Sequence, residues 1–103
     1  MMNHNKPKLM LPTIHLNGTS VRDLITDNLK ASNAIQAAID ALREAGPNGR
    51  DYYPQDRPGA MGGAIATASN EHQARVAALQ GALDELTTIL EHLVDAENQR
   101  KPR

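Results

Sequence analysis

Apolar residues recur along two stretches of this chain at alternating steps of four and three, the seam of a helix packed on a neighbour. In the first stretch, free of Gly and Pro from Ser20 to Ala45, the seam reads Val21, Ile25, Asn28, Ser32, Ile35, Ile39 and Leu42. Thr19 or Ser20 supplies the N-cap, Asp23 stands in the first turn where the helix dipole favours an acid, and Gly46-Pro47 closes the helix. In the second stretch His72, Val76, Leu79, Leu83, Leu86, Leu90 and Leu93 repeat the spacing, with Ile89 and Val94 widening the stripe. Its start is open between two positions. Ser69 caps it, or it opens earlier, after Asp56 and Pro58, and carries the seam through Gly62 and Ile65 at a cost of roughly 1 kcal/mol per helical glycine.

These elements predict a mainly α fold, an antiparallel two-helix hairpin with a long polar inter-helix loop from Gly46 to Gly59. Ahead of the first helix, Pro12 to Asn17 alternates Ile14 and Leu16 with Thr13 and His15, the pattern of a short strand or extended segment. Such a segment must pair with the loop, pair with another chain, or lie across the helices. Two helices bury one stripe each and do not enclose a core, so a hairpin of this size needs staples, metal or association. The expectation is a homo-oligomeric helical bundle in which the Leu-rich stripe of the second helix, broadened by Ile89 and Val94, meets other subunits.

Length and composition narrow the picture. With 103 residues there is room for one domain, and with no Cys there is neither a disulfide framework nor a thiolate metal site, which points to a cytoplasmic setting. No apolar run approaches the ~20 residues needed to span a bilayer, so no membrane partner is expected. A formal charge of −1 argues against a general DNA or RNA binder. That charge is uneven: residues 1–22 carry +3, residues 23–45 carry −2, residues 61–97 carry −5 and the tail 98–103 carries +3. The basic ends, poor in apolar residues, read as a disordered N-terminus over 1–11 and a disordered tail over 98–103, leaving 12–97 as the folded domain.

The search for catalytic motifs returns no Gly-rich phosphate loop, no nucleophile elbow, no His-Glu-x-x-His pair and no Glu-x-x-His pair. His72 and His92 each follow a Glu, but 20 residues is about 5.6 helical turns, so they occupy different faces and no metal site is expected. Two polar clusters remain. His15, with Asn17, Gly18, Thr19 and Ser20, forms a donor-rich turn at a helix N-terminus, where anions bind readily. Asn48, Arg50, Tyr52, Tyr53 and Arg57 set both tyrosines of the chain between two arginines, rings for stacking a base and charges for a phosphate. Against these stand plainer readings: a tyrosine plugging the hairpin's open end, Arg50 paired with Asp51 or Asp56, His72 bonded to backbone, and Asn28 with Ser32 as a register device.

The words Pro12-Thr-Ile-His-Leu-Asn-Gly-Thr-Ser20, Asn48-Gly-Arg-Asp-Tyr-Tyr-Pro-Gln55 and Glu71-His72-x-x-Arg75 together resemble a set of small phage and prophage proteins of uncharacterised type, over about residues 12 to 93. In size and two-helix plan the chain is also similar to small phage proteins that assemble into oligomers and sequester cyclic-nucleotide immune signals, a likeness of architecture alone. The resemblance implies a non-enzymatic anti-defence protein, with no cofactor, that binds a nucleotide-derived signal such as a cyclic nucleotide or a cyclic ADP-ribose. Arg50 and Arg57 would meet phosphate, Tyr52 or Tyr53 would stack the base, and His15, Asn17 and Thr19 would complete the pocket, with Asn48, His72 and Arg75 as further ligand-binding residues. The alternative is a structural or protein-interaction helical oligomer of phage origin without a small ligand. A third reading makes His15 or His72 a base near Asp51 in a hydrolase.

Overall fold

A computed structural model of the chain describes residues 8–100. Helix α1 spans Val21–Glu44 and α2 spans Gly63–Arg100, with two short 3₁₀ turns, Gly49–Asp51 and Tyr53–Gln55, in the loop between them. The two helices pack against each other, and no strand occurs among the described residues. The chain divides into two compact units, Met1–Ser32 with Asp84–Arg103, and Asn33–Leu83.

In the first unit Ser20 is the N-cap of α1: its hydroxyl oxygen accepts the Asp23 N–H at 3.1 Å. Val21 and Leu93 are buried, and so is Asn28, a polar residue in the middle of the seam. Asn28 earns its place by bonding in both directions. Its amide Nδ2 donates to the Leu86 carbonyl of α2 at 3.2 Å, while its Oδ1 accepts from Ser32 Oγ at 3.2 Å. A side chain that must find one particular carbonyl on the facing helix fixes the register, which apolar contacts alone leave loose. The Pro12–Asn17 segment forms no strand; it is pinned to α2 by His92, whose Nε2 lies 2.7 Å from the Pro12 carbonyl. A carbonyl can only accept, so Nε2 carries the proton.

The second unit uses the same device. His72 is half-buried, and its Nε2 donates to the Leu42 carbonyl at 2.6 Å, one of the carbonyls that the end of α1 leaves without a full set of intrahelical partners. This bond, not a left-handed glycine, finishes α1. The helix ends just ahead of Gly46-Pro47, as the sequence predicts, but Gly46 is not left-handed: positive φ among the glycines is confined to Gly59 and Gly62. Those two sit third in successive four-residue turns, closed by Ala60 N–H to Arg57 O and Gly63 N–H to Ala60 O, both at 2.9 Å. With φ of +86° and +76° they meet the third-position demand of a type II turn, and Pro58 fits the second position of the first.

Of the two starts open for α2, the earlier one is observed. Asp56 caps the helix from outside it: Oδ1 accepts from Ala64 N–H at 2.9 Å and Oδ2 from Gly62 N–H at 3.1 Å. The carboxylate thus lies at the positive end of the helix dipole and is engaged by backbone, not by Arg50. At its other end α2 runs to Arg100, so residues 98–100, expected in a disordered tail, are helical; of the rest of the expected disorder, residues 8–11 form no regular element and residues 1–7 and 101–103 lie outside the described range.

The Leu-rich stripe of α2 is spent on α1: Leu79, Leu83, Leu86 and Leu90 are half-buried and Leu93 is buried. Of the residues expected to broaden the stripe, Ile89 is half-buried and Val94 exposed. Replacing Asp56 by Ala removes the acceptor for two N–H groups at once. The expected loss is about 1–2 kcal/mol, read as a lower urea midpoint in circular dichroism with an unchanged denaturant slope.

Candidate functional site

The first unit contains a cleft of about 490 Å³. Its floor is the turn that precedes α1. Gly18 N–H closes that turn onto the His15 carbonyl at 3.1 Å, and the His15 ring folds back over the glycine. A Cβ on Gly18 would stand 2.8 Å from His15 Nε2, so the absence of a side chain at 18 is what lets the ring lie there. Ile14, Leu16 and Val21 give the cleft an apolar wall; His15, Thr19, Ser20, Arg22 and Arg100 give it polar and basic groups. Ser20 Oγ is an acceptor toward Asp23 N–H and keeps its own proton to donate.

Glu97 is the acid in the lining. Its Oε2 lies 3.2 Å from Arg22 Nε, in a pair whose arginine side chain is 81% exposed. Such a pair adds little stability, but it cancels the one negative charge and aims the guanidinium. With Arg100 in the same lining, the cleft's side chains keep a net positive charge; the N-terminal N–H groups of α1 add to that field and the C-terminal carbonyls of α2 oppose it.

Of the residues expected at a single site, His15 and Thr19 line this cleft, while Asn17 is exposed in the adjoining turn and does not. Asn48, Arg50, Tyr52, Tyr53, Arg57, His72 and Arg75 belong to the second unit. The expected site residues are thus shared between the two units. In the loop, Asn48 Oδ1 accepts the Arg50 N–H at 3.1 Å and caps the first 3₁₀ turn, Tyr52 is half-buried and Tyr53 is 67% exposed. Arg50, Arg57 and Arg75 are exposed, and His72 is occupied with the end of α1. No group of three or more His, Asp or Glu side chains able to hold a metal ion occurs among the described residues.

Arg22, Glu97 and Arg100 line the cleft although no sequence motif marks them. Arg100 was assigned to a disordered tail, although the run from Ala82 to Lys101 holds neither Gly nor Pro and gives α2 no reason to stop before it. Comparison with family models, with curated proteins and with solved structures found no match to this chain. Among the described residues no helix is long and apolar enough to cross a membrane.

One hydrogen bond holds the cleft's apolar edge in place. Replacing His92 by Ala releases Pro12, and exchange of the Gly18 amide, which is bonded to the His15 carbonyl, is expected to accelerate at least tenfold, while amides 39–45 at the end of α1, clamped by His72, keep their rates. An equal Gly18 rate in both proteins would show that the segment is held by other contacts.

Proposed function

We propose that this chain is a non-enzymatic, phage-type protein of the host cytoplasm that binds and sequesters a nucleotide-derived signal. The observation that carries this reading is the first unit's cleft. Its volume, about 490 Å³, falls within the roughly 300–1,000 Å³ of small-molecule sites. Arg22 and Arg100 offer guanidinium forks, which suit the paired oxygens of a phosphate, and Ile14, Leu16 and Val21 offer an aliphatic wall for a sugar or base. Thr19 and Ser20 add hydroxyls at a helix N-terminus, where an anion is favoured. The acid in the lining neutralises Arg22, an arrangement suited to holding a ligand. The planar part of the ligand rests on the aliphatic side chains of this lining.

A second reading, a structural or protein-interaction helical oligomer of phage origin with no small ligand, is favoured by the size of the core. Only Ile39 and Leu93 are wholly buried among the described residues.

Calorimetric titration with cyclic dinucleotides, cyclic trinucleotides and cyclic ADP-ribose isomers separates the two. Saturable binding is expected, and Arg100→Ala should weaken it by about 10- to 150-fold, the ~1.5–3 kcal/mol of a charge-assisted hydrogen bond. Arg22→Ala should do the same with a melting temperature within a few degrees of the parent, because its ion pair is exposed. Arg50→Ala should leave binding intact. No heat with any of these ligands at millimolar concentration, or binding lost in Arg50→Ala and kept in Arg100→Ala, would remove the cleft from the function.

A further inference from the structure

Asparagine followed by glycine occurs twice in this chain, as Asn17-Gly18 and as Asn48-Gly49. Asparagine is a thermally labile residue, and most so before glycine, where no side chain shields the next backbone nitrogen from the carboxamide. The structure holds the two pairs differently. Asn48 Oδ1 accepts the Arg50 N–H at 3.1 Å, the Asn48 carbonyl accepts the Asp51 N–H at 3.0 Å, and the Gly49 carbonyl accepts the Tyr52 N–H at 3.0 Å. Gly49 is half-buried besides. At the other pair the Gly18 N–H donates to the His15 carbonyl at 3.1 Å, and both Asn17 and Gly18 are exposed. Among the described residues nothing bonds to the Asn17 carboxamide.

We propose that Asn17 is a deamidation site of the folded protein, while Asn48, in the same dipeptide, is protected by its cap. The Gly18 nitrogen gives its proton to a solvent base and bonds to Asn17 Cγ; the Cγ–Nδ2 bond breaks, and the side-chain nitrogen takes up a proton and leaves as ammonia. Water then opens the five-membered imide at either of its two carbonyls, leaving aspartate or its β-linked isomer at position 17. Nothing is oxidised or reduced, and water is the only co-reactant. Before the ring closes, the Gly18 N–H must leave the His15 carbonyl, and a single turn bond in an exposed segment opens by local fluctuation. Asn48 must instead give up its cap within a peptide that two further bonds hold still. The product brings a carboxylate into the turn that floors the cleft. In that lining two arginines, Arg22 and Arg100, face one acid, Glu97, so an added negative charge cancels the surplus. Resting on the anionic ligand proposed above, deamidation then acts as a slow loss of affinity built into the site.

Trypsin separates the two pairs into the peptides Leu9–Arg22 and Glu44–Arg50, each with a single asparagine. After the full chain is incubated in warm, mildly alkaline buffer, mass spectrometry is expected to show the mass gain of amide-to-acid conversion in Leu9–Arg22 at least tenfold faster than in Glu44–Arg50. In urea, where neither turn persists, the two rates should converge. Equal rates in the folded chain, a faster change at Asn48, or a difference that survives in urea would overturn the assignment, because each shows that the folded turns do not set the rates. The effect on the cleft is read by titrating fresh and fully modified protein with the same cyclic nucleotides. The modified form is expected to bind about fivefold more weakly, the scale of one unit charge a few ångströms away in water. Equal affinity in the two forms would overturn that effect and leave the chemistry standing. Absence of heat from both forms would remove the ligand reading and the effect with it, and the mass measurement alone then decides the modification.

Discussion

Two helices touch along a single line, and that line is the scarce resource on which this molecule depends. A third helix or a sheet would let side chains pack from several directions; here each seam residue is covered from one side, and among the described residues only Ile39 and Leu93 disappear from solvent altogether. What apolar contact does not supply, side chains bonded to backbone do. Asn28 reaches the Leu86 carbonyl, His72 the Leu42 carbonyl, His92 the Pro12 carbonyl, and Asp56 two N–H groups at the start of α2. Each of these bonds fixes one element at one place on another, a positional demand that dispersion between leucines does not make.

The same economy shapes the candidate site. The cleft needs no element of its own: a turn closed by Gly18, the capped start of α1 and the last turns of α2 supply its walls, and the clamp at His92 holds the segment that carries Ile14 and His15. Both imidazole clamps use Nε2 as donor, so both histidines are held in one tautomer by acceptors that cannot donate. The loop of the second unit is likewise self-contained, with Asn48 turning the chain into its 3₁₀ segment and Asp56 turning it out into α2.

Much of this fold was legible in the sequence because helices announce themselves by period. Every predicted seam position of α1, from Val21 to Leu42, is buried or half-buried, and Ser20, one of two named candidates, is the cap. Asn28 and Ser32 stood out as polar residues on an apolar stripe, and their bond to each other and to α2 gives that placement its reason. What stayed hidden depends on main-chain atoms brought close only by folding. Nothing in the sequence names the carbonyl that His92 or His72 will meet, since every residue offers the same acceptor. Asp56 is named in the sequence as one opening of the second helix, but not the N–H groups it meets there, since it lies seven positions ahead of α2. Arg100 stays hidden for a simpler reason: it falls in the basic stretch that reads as a solvated tail until α2 is seen to continue through it.

The clamps bear on how such a chain drifts over generations. A large core ties many positions together, so that one change of volume demands another nearby. Here the hard constraints are few: a histidine with a carbonyl in reach, a small amide on the seam, an acid ahead of a glycine turn, and a handful of branched side chains between them. Most other sites on the two helices answer only to polarity and helix propensity, which many residue types satisfy equally. Lineages carrying this hairpin would lose overall identity quickly while keeping the clamp residues in register, and kinship would be better sought in the spacing of those few positions than in percentage agreement along the chain.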